Sequence, residues 1–211
     1  AQPKSLYRNF MSLDEKQILP LSFFENSEVT DAARQLLGKV LVSSIGSERT
    51  AGIITETEAY CGRNDKACHA NNGLRTSRTE VMYGKPGRAY IYLCYGIHHL
   101  MNVVTNREGL ADAVLIRRLK PLEGIELMRK RRQIKQDKNL ANGPGKLSQA
   151  LSITTDLNAT SLRQPPLWIE NRGIEIPEDF VEATPRIGVD YAGEHAKRRW
   201  RYIVIGDISS I

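Results

Sequence analysis

The chain has 211 residues, of which 41% are hydrophobic and 26% are charged, a balance typical of a globular protein with one sizeable core. It contains no run of about eighteen apolar residues, which excludes a membrane-spanning helix, and its three cysteines exclude a disulfide framework and favour a reducing, intracellular compartment. The net charge of +6 favours a polyanionic partner.

The first part of the chain combines an irregular start with one helix and one hairpin. Residues 1–20 are expected to form a flexible N-terminal extension, and residues 21–211 are expected to form a single domain. A capped stretch with acids in its first turn predicts a helix over Glu28–Leu37. Two β-favouring runs separated by a short polar turn then predict a hairpin of Lys39–Ile45 and Ala51–Tyr60.

The rest of the chain mixes strands and helices. Cys61–Gly87 is polar and rich in glycine, which predicts a long irregular segment of the kind that carries function. The elements predicted after it are strands at Ala89–Tyr95, Ile97–Thr105, Ala113–Leu119, Leu167–Glu170 and Trp200–Ile205, and helices that begin at Glu123 and span Lys146–Leu151. Because no βαβ rhythm is present, we predict an α+β fold with a mostly antiparallel sheet.

Two carboxylates lie close together on the second strand of the hairpin. Glu56 and Glu58 are two residues apart, so both point to one face, together with Tyr60, with Cα atoms roughly 6.6 Å apart. Such a pair is typical of glycoside hydrolysis, and the alternative is a pair of solvated surface charges. Because apolar residues flank the pair, at least one glutamate is expected to be partly buried, with Arg117 as a candidate cation.

An aromatic run, A-Y-I-Y-L-C-Y-G, follows the irregular segment. Tyr90 and Tyr92 share one face of the predicted strand, whereas Tyr95 lies on the opposite face beside Gly96. Tyrosines in this arrangement can stack on bases or wedge between base pairs, and the alternative is ordinary packing in a sheet. The cluster K-R-R-W-R at 197–201 favours nucleic acid, although a solvated face is the simpler interpretation of a charge run.

Two further motifs resemble known functional sites, but their residues do not have the spacing that those sites require. Cys61, Cys68 and His69 lack the C-x-x-C or H-x-x-x-H spacing of a zinc site, so no metal is predicted, and no other cofactor is expected. G-P-G-K at 143–146 lacks residues that a phosphate-binding Walker motif requires. It predicts a turn and a helix N-terminus, where Lys146 can contact a DNA phosphate.

Several motifs together resemble one family closely. They are E-T-E-A-Y at 56–60, A-C-H at 67–69, K-P-G-R-A-Y-I-Y-L-C-Y-G at 85–96, M-N at 101–102, A-V-L-I-R at 113–117, N-G-P-G-K-L at 142–147 and P-R-I-G-V-D at 185–190. Their order and spacing are similar to those of the alkyladenine (3-methyladenine) DNA glycosylases of the mammalian alkyladenine type. The resemblance implies a curved antiparallel sheet, surrounding helices and a protruding DNA-intercalating β-hairpin.

The resemblance also implies a role for each matching residue. Glu58 matches the general base that activates a water molecule, and Arg117 and the backbone carbonyl of Ile187 match the groups that hold this water. Tyr95 matches the residue that fills the gap in the duplex. The residues that match the pocket for the flipped purine are Tyr60, His69, Tyr92 and Asn102. Contacts to the DNA backbone are expected from Lys146, Arg75 and Arg78.

The function implied by the resemblance is that of a monofunctional DNA glycosylase. It would flip 3-methyladenine, 7-methylguanine, hypoxanthine or ethenoadenine out of duplex DNA and hydrolyse the N-glycosidic bond. The expected partner is double-stranded DNA with damaged purines. The protein is expected to be a DNA-associated monomer, in the nucleoid or cytoplasm of a bacterium or the nucleus of a eukaryote. The alternatives are a non-catalytic binder of damaged or bent DNA and an O-glycoside hydrolase that uses Glu56 and Glu58.

Overall fold

The computed structural model describes residues 17–206, which fold around one nine-stranded sheet. The strands are β1 (Val40–Ile45), β2 (Glu48–Tyr60), β3 (Ala89–Cys94), β4 (His98–Thr105), β5 (Asp112–Glu123), β6 (Arg163–Gln164), β7 (Leu167–Glu170), β8 (Val181–Thr184) and β9 (Arg201–Val204). The helices are α1 (Leu21–Phe24), α2 (Val29–Gln35), α3 (Ile125–Arg132) and α4 (Pro144–Ala150). Short 3-10 helices lie at Asn71–Gly73, Glu80–Tyr83, Asp137–Asn139, Thr155–Leu157, Glu178–Phe180 and Asp190–Lys197.

The strand β2 is the centre of the sheet. The strand order is β3-β4-β5-β2-β1-β7-β6, every pairing is antiparallel, and β9 joins β2 to β8 beside this path. The first half of β2 pairs with β1, and its second half, at Glu56–Glu58, pairs with β9. This change of partner accompanies the curling of the sheet into a half-barrel. The predicted α+β fold with a single domain and an antiparallel sheet is therefore confirmed.

Helices cover one side of the sheet and complete the core. Helix α2 packs on β2 and β5, and α4 packs on β4 and β5. The Thr57 hydroxyl donates to the Ala33 carbonyl at 2.8 Å, which joins β2 to α2. A second apolar cluster, which includes Met82, Tyr90 and Ala113, lies under the segment between β2 and β3. This cluster supports the cavity described below.

The predicted elements agree with the observed ones to within a few residues in most places. The helix predicted over Glu28–Leu37 is α2, and the predicted hairpin is β1 with β2, which begins three residues earlier than expected. The short strands β6 and β8 had no counterpart among the predictions. No helix within residues 17–206 is long and apolar enough to span a membrane.

Most of the expected N-terminal extension lies outside the described residues, as do residues 207–211. The described end of the extension packs on the sheet, because Leu19 is buried and its backbone N–H donates to the Ile169 carbonyl at 3.0 Å. The flexibility expected for residues 1–16 stays a prediction.

Candidate active site

Glu58 is the carboxylate around which the site is arranged. It lies near the end of β2, and its side chain is 0% exposed. The backbone N–H of Ile187 donates to its Oε1 at 2.8 Å, and the Tyr60 hydroxyl donates to its Oε2 at 2.7 Å. Arg117 Nη1 also donates to Oε2, at 3.4 Å. A carboxylate has about four acceptor positions, so these three bonds leave one position on Oε1 for a further donor.

Tyr60 keeps its proton in this arrangement. Burial raises the pKa of Tyr60 well above its usual value, and the negative charge of Glu58 and the hydrogen bond to it raise the pKa further. The hydroxyl is therefore a fixed donor to Glu58 and is not itself a base.

Arg117 reaches two carboxylates because the sheet bulges at this point. The register of β2 against β5 shifts between Glu56 and Thr57, which leaves Arg117 as the extra residue of β5. Its Nε donates to Glu56 Oε1 at 2.9 Å, and Arg201 Nε donates to the same oxygen at 2.8 Å. Within this pair of glutamates, Glu58 lines the cavity and Glu56 does not. The pair is therefore asymmetric, which does not favour a mechanism that uses both carboxyl groups.

A buried ion pair fixes two of the groups that surround Glu58. The side chains of Arg186 and Asp65 are both 0% exposed, and Arg186 Nη2 donates to Asp65 Oδ1 at 2.8 Å. The guanidinium carbon lies 4.8 Å from the centre of the Tyr60 ring, and Arg186 directly precedes Ile187 in the chain. Because Asp65 also accepts from backbone N–H groups of its own loop, the pair ties the loop after β2 to the segment after β8.

The cavity beside Glu58 has a volume of about 590 Å³ and a wall of aromatic rings. The centres of the Tyr92 and His69 rings are 4.8 Å apart, with the ring planes at 76°, and those of Tyr92 and Tyr90 are 5.4 Å apart. Tyr60 lines the cavity from β2. This size and this lining suit a flat heterocycle.

His69 is held as a neutral ring. Arg78 Nη2 lies 3.3 Å from His69 Nε2, and because a guanidinium can only donate, Nε2 is the acceptor and Nδ1 carries the proton. Nδ1 then donates to the Tyr90 hydroxyl at 3.0 Å. Burial lowers the pKa of His69 to about 4, and the positive charge of Arg78 contributes to the shift. The imidazole is therefore uncharged at neutral pH.

Asn102 and Cys68 complete the inner wall of the cavity. Asn102 is buried on β4, and its Nδ2 donates to the Tyr90 carbonyl at 3.1 Å, which fixes the orientation of the amide. Cys68 is buried in the loop after β2, and burial raises the pKa of its thiol to about 12. The thiol is therefore protonated and a poor nucleophile at neutral pH.

The hairpin of β3 and β4 presents an exposed aromatic residue at its tip. Tyr95 is 93% exposed, and Ile97 beside it is 70% exposed. Tyr95 and Gly96 have φ values of +51° and +71°, and the Ile97 N–H donates to the Cys94 carbonyl at 3.2 Å. Positive φ at both central residues is typical of a type I′ turn. The turn places a large ring in solvent at the mouth of the cavity, which Tyr95 also lines.

The three basic residues expected at the DNA backbone are placed differently from one another. Lys146 on α4 is exposed and lines the mouth of the cavity. Arg78 lines the cavity itself, with its guanidinium carbon 4.7 Å from the centre of the Tyr92 ring. Arg75 is bound to the Glu80 carboxylate through two nitrogens and does not line the cavity.

Residues from distant parts of the chain meet at this cavity. The predicted site residues that line it are Glu58, Tyr60, His69, Arg78, Tyr92, Tyr95, Asn102, Arg117, Lys146 and Ile187. Three residues in or beside the site had not been predicted from the sequence, namely Asp65, Arg186 and the exposed, cavity-lining Tyr191. The P-R-I-G-V-D motif pointed to Ile187 and gave no sign of a buried ion pair at its neighbour. Within residues 17–206, no group of three metal-ligating side chains lies close enough together to hold a metal ion.

Comparisons with known proteins identify relatives over most of the chain. The family model of methylpurine-DNA glycosylase matches residues 22–208. A relative from Chlamydia abortus is 47% identical over 189 residues, which are 89% of this chain and 98% of the relative. Relatives from Methanocella arvoryzae and Clostridium acetobutylicum are 46% and 44% identical over 88% and 87% of this chain, and over 91% and 93% of their own lengths. All three carry the name "Putative 3-methyladenine DNA glycosylase".

Proposed function

The chain belongs to the methylpurine-DNA glycosylase family, and we propose that it removes damaged purines from duplex DNA with a water molecule activated by Glu58. It is a DNA glycosylase, a hydrolase that acts in the repair of alkylated bases. The proposal extends this activity to 3-methyladenine, 7-methylguanine, hypoxanthine and ethenoadenine. It also includes the assignment to the mammalian alkyladenine type, which is supported by the motifs around Glu58, Tyr92 and Ile187.

The proposal is carried by the burial and the hydrogen bonds of the Glu58 carboxylate. The carboxylate is buried at the cavity wall, and its three donors leave one acceptor position on Oε1. A water molecule in that position would give its proton to Glu58 as its oxygen attacks the sugar carbon of the scissile bond. The sugar becomes positively charged as the bond breaks, and the same carboxylate stabilises that charge. The backbone carbonyl of Ile187 is proposed to accept a hydrogen bond from the same water.

The aromatic cavity supports recognition of an extruded base. A base must leave the duplex to meet Glu58, at a cost of a few kcal/mol of unstacking that is smaller for damaged bases. Tyr60, His69 and Tyr92 offer ring surfaces for stacking. Asn102, held by the Tyr90 carbonyl, is proposed to discriminate against the exocyclic amine of guanine.

Tyr95 is proposed to occupy the space that the extruded base leaves in the stack. Its exposure at the tip of the β3–β4 hairpin and its position at the mouth of the cavity support this role. Lys146 is proposed to contact a phosphate near the mouth. The protein is proposed to act as a DNA-associated monomer, because one chain supplies Glu58, the aromatic cavity and the hairpin.

A base-release assay tests the proposal. Duplexes with one hypoxanthine, ethenoadenine, 7-methylguanine or 3-methyladenine are incubated with the protein, and abasic sites are measured by alkaline cleavage. The wild-type protein should release the base, and Glu58→Gln should slow release about 100-fold or more, because the amide cannot take the proton from water. Glu182→Gln makes the same change at an exposed position of β8 and should release the base at the wild-type rate.

Two outcomes would contradict the proposal. Equal rates for Glu58→Gln and the wild type would exclude Glu58 as the base. Selective binding of lesion duplexes by folded wild-type protein that releases no base would favour the non-catalytic alternative. Thermal unfolding of each variant separates a loss of chemistry from a loss of folding.

A further inference from the structure

We propose that Arg78 sets the preference of the cavity between neutral and cationic damaged purines. This inference depends on the proposed function, and it concerns the leaving base, whereas the role of Glu58 concerns the attacking water. Alkylated purines such as 7-methylguanine carry a positive charge in DNA, whereas hypoxanthine and ethenoadenine are neutral. A neutral purine that leaves without a proton carries the electron pair of the broken bond as a negative charge.

Arg78 is a cation whose described contacts are with rings. Its guanidinium lies over Tyr92, at 4.7 Å from the ring centre, and Nη2 lies 3.3 Å from His69 Nε2. The other two arginines near the site are neutralised, since Arg117 contacts two glutamates and Arg186 contacts Asp65. In the described residues, Arg78 therefore brings a positive charge to the aromatic wall without a carboxylate beside it.

The aromatic wall offers no strong acid to protonate a departing base. His69 is neutral, and its proton is on Nδ1, bound to the Tyr90 hydroxyl. The Tyr60 hydroxyl is bound to Glu58, and burial raises the pKa of both Tyr60 and Tyr92. These rings cannot readily give a proton to the base at neutral pH, so within the aromatic wall the positive charge of Arg78 is the group that can stabilise the negative charge of a departing neutral purine.

The charge of Arg78 has opposite effects on the two classes of base. It attracts the negative charge that develops on a neutral purine and repels a purine that is already positive. At about 5 Å, with the partial solvent screening expected for an exposed side chain, the difference of one unit charge between the two bases is worth about tenfold in the ratio of their kcat/KM values. A residue that bound only a DNA phosphate would change both rates in the same direction and by a similar factor.

The experiment measures the ratio of kcat/KM on matched duplexes with hypoxanthine and 7-methylguanine, because kcat/KM compares the transition state with the free protein and DNA and so includes the repulsion of the cationic base. Arg78→Met keeps an unbranched apolar stem and removes the charged guanidinium, and it should lower the ratio of hypoxanthine to 7-methylguanine release about tenfold. Arg78→Lys keeps the charge and should recover most of the ratio. Arg75→Met removes a charge that Glu80 already neutralises and should keep the wild-type ratio even if both rates fall.

The inference is overturned if Arg78→Met slows both reactions equally or leaves the ratio unchanged. Failure of the proposed function is a separate outcome, seen as no base release by the wild-type protein. In that event, the ratio of the two duplex binding constants tests the repulsion of the cationic base, and an unchanged ratio in Arg78→Met overturns the inference. An NMR titration of His69 gives a readout that does not need activity: burial, the larger cause of its low pKa, remains in Arg78→Met, and loss of the positive charge should raise the pKa part of the way from about 4 toward 6.5.

Discussion

Glu56 and Arg117 form a bridge across a bulge of the sheet, with Arg117 Nε donating to Glu56 Oε1 at 2.9 Å. This bond directs the other end of the guanidinium to Glu58, so the first glutamate of the T-E-T-E motif acts on the second through an arginine. We expect Glu56→Gln to destabilise the protein by about 3–5 kcal/mol, because the change removes the negative partner of a largely buried cation.

Glu56→Gln should lower the rate of base release more than its control variant, Arg201→Met, does. Base release by folded Glu56→Gln should fall about tenfold or more, because Arg117 is no longer held toward Glu58. Arg201→Met removes the other arginine on Glu56 Oε1 and leaves the contacts of Glu58 in place. A fall in activity as large in Arg201→Met as in Glu56→Gln would mean that the bridge to Arg117 has no special role.

The ion pair between Arg186 and Asp65 should show strong coupling in stability. Each of the single variants Arg186→Met and Asp65→Asn leaves an unpaired charge in a site with 0% exposure. Each should lower the free energy of unfolding by about 3–5 kcal/mol. The double variant should be more stable than the sum of the two losses predicts, because it leaves no unpaired charge. Chemical denaturation of the four proteins measures this coupling, and additive losses would contradict it.

Tyr95 should be a position at which stability and function conflict. A tyrosine with a φ of +51° is strained, whereas Asn-Gly is the preferred pair for a type I′ turn. We expect Tyr95→Asn to raise stability by about 0.5–1 kcal/mol, or by a few degrees in Tm, and to reduce base release from duplex DNA.

The control for this turn is Tyr95→Phe, which keeps the ring and the strain. It should leave both Tm and base release near their wild-type values. A lower Tm in Tyr95→Asn would show that the ring itself stabilises the hairpin, despite its 93% exposure.

His69 should make the protein less stable in acid. Burial, together with the charge of Arg78, lowers its pKa to about 4 in the folded state, whereas an unfolded histidine has a pKa of about 6.5. Between these values the unfolded chain binds more protons, so stability is complete above about pH 6.5 and falls as the pH drops toward 4. Allowing for partial exposure of the ring, the loss should be about 1–2 kcal/mol.

The measurement compares the free energy of unfolding at pH 7 and pH 4.5 for the wild type and His69→Gln. The variant lacks this titration, so its stability should decrease less over the same range. Equal decreases in the two proteins would place the folded pKa of His69 near its unfolded value.

Local sequence patterns were sufficient to predict most of the strands of the sheet. Pairings between strands that are distant in sequence could not be predicted from such patterns. The β1–β2 hairpin and the β3–β4 hairpin follow from alternating residues around turn-forming glycines, so their positions could be predicted closely. The pairing of β2 with β9 joins Glu58 to Arg201, and neither strand carries a signal that specifies the other. The short strand β8 has too few residues to show a period.

The candidate site also has features that local sequence patterns predict and features that depend on contacts distant in sequence. Glu58 and Tyr60 could be predicted to share a face because the strand period places them there. The role of Arg117 as the extra residue of a bulge depends on a register shift, which one strand alone cannot reveal. Asp65 and Arg186 are 121 residues apart, and their pairing depends on how the loop after β2 folds against the segment after β8.

The high pKa of Cys68 bears on the chemical environment of a repair enzyme. Methylating agents that damage DNA also attack thiolates, and a thiolate is the reactive form of cysteine. Burial raises the pKa of Cys68 to about 12, so the thiol is protonated at pH 7. The thiol in the wall of the cavity is therefore a weaker nucleophile than an exposed cysteine, and an alkylating agent would react with it more slowly.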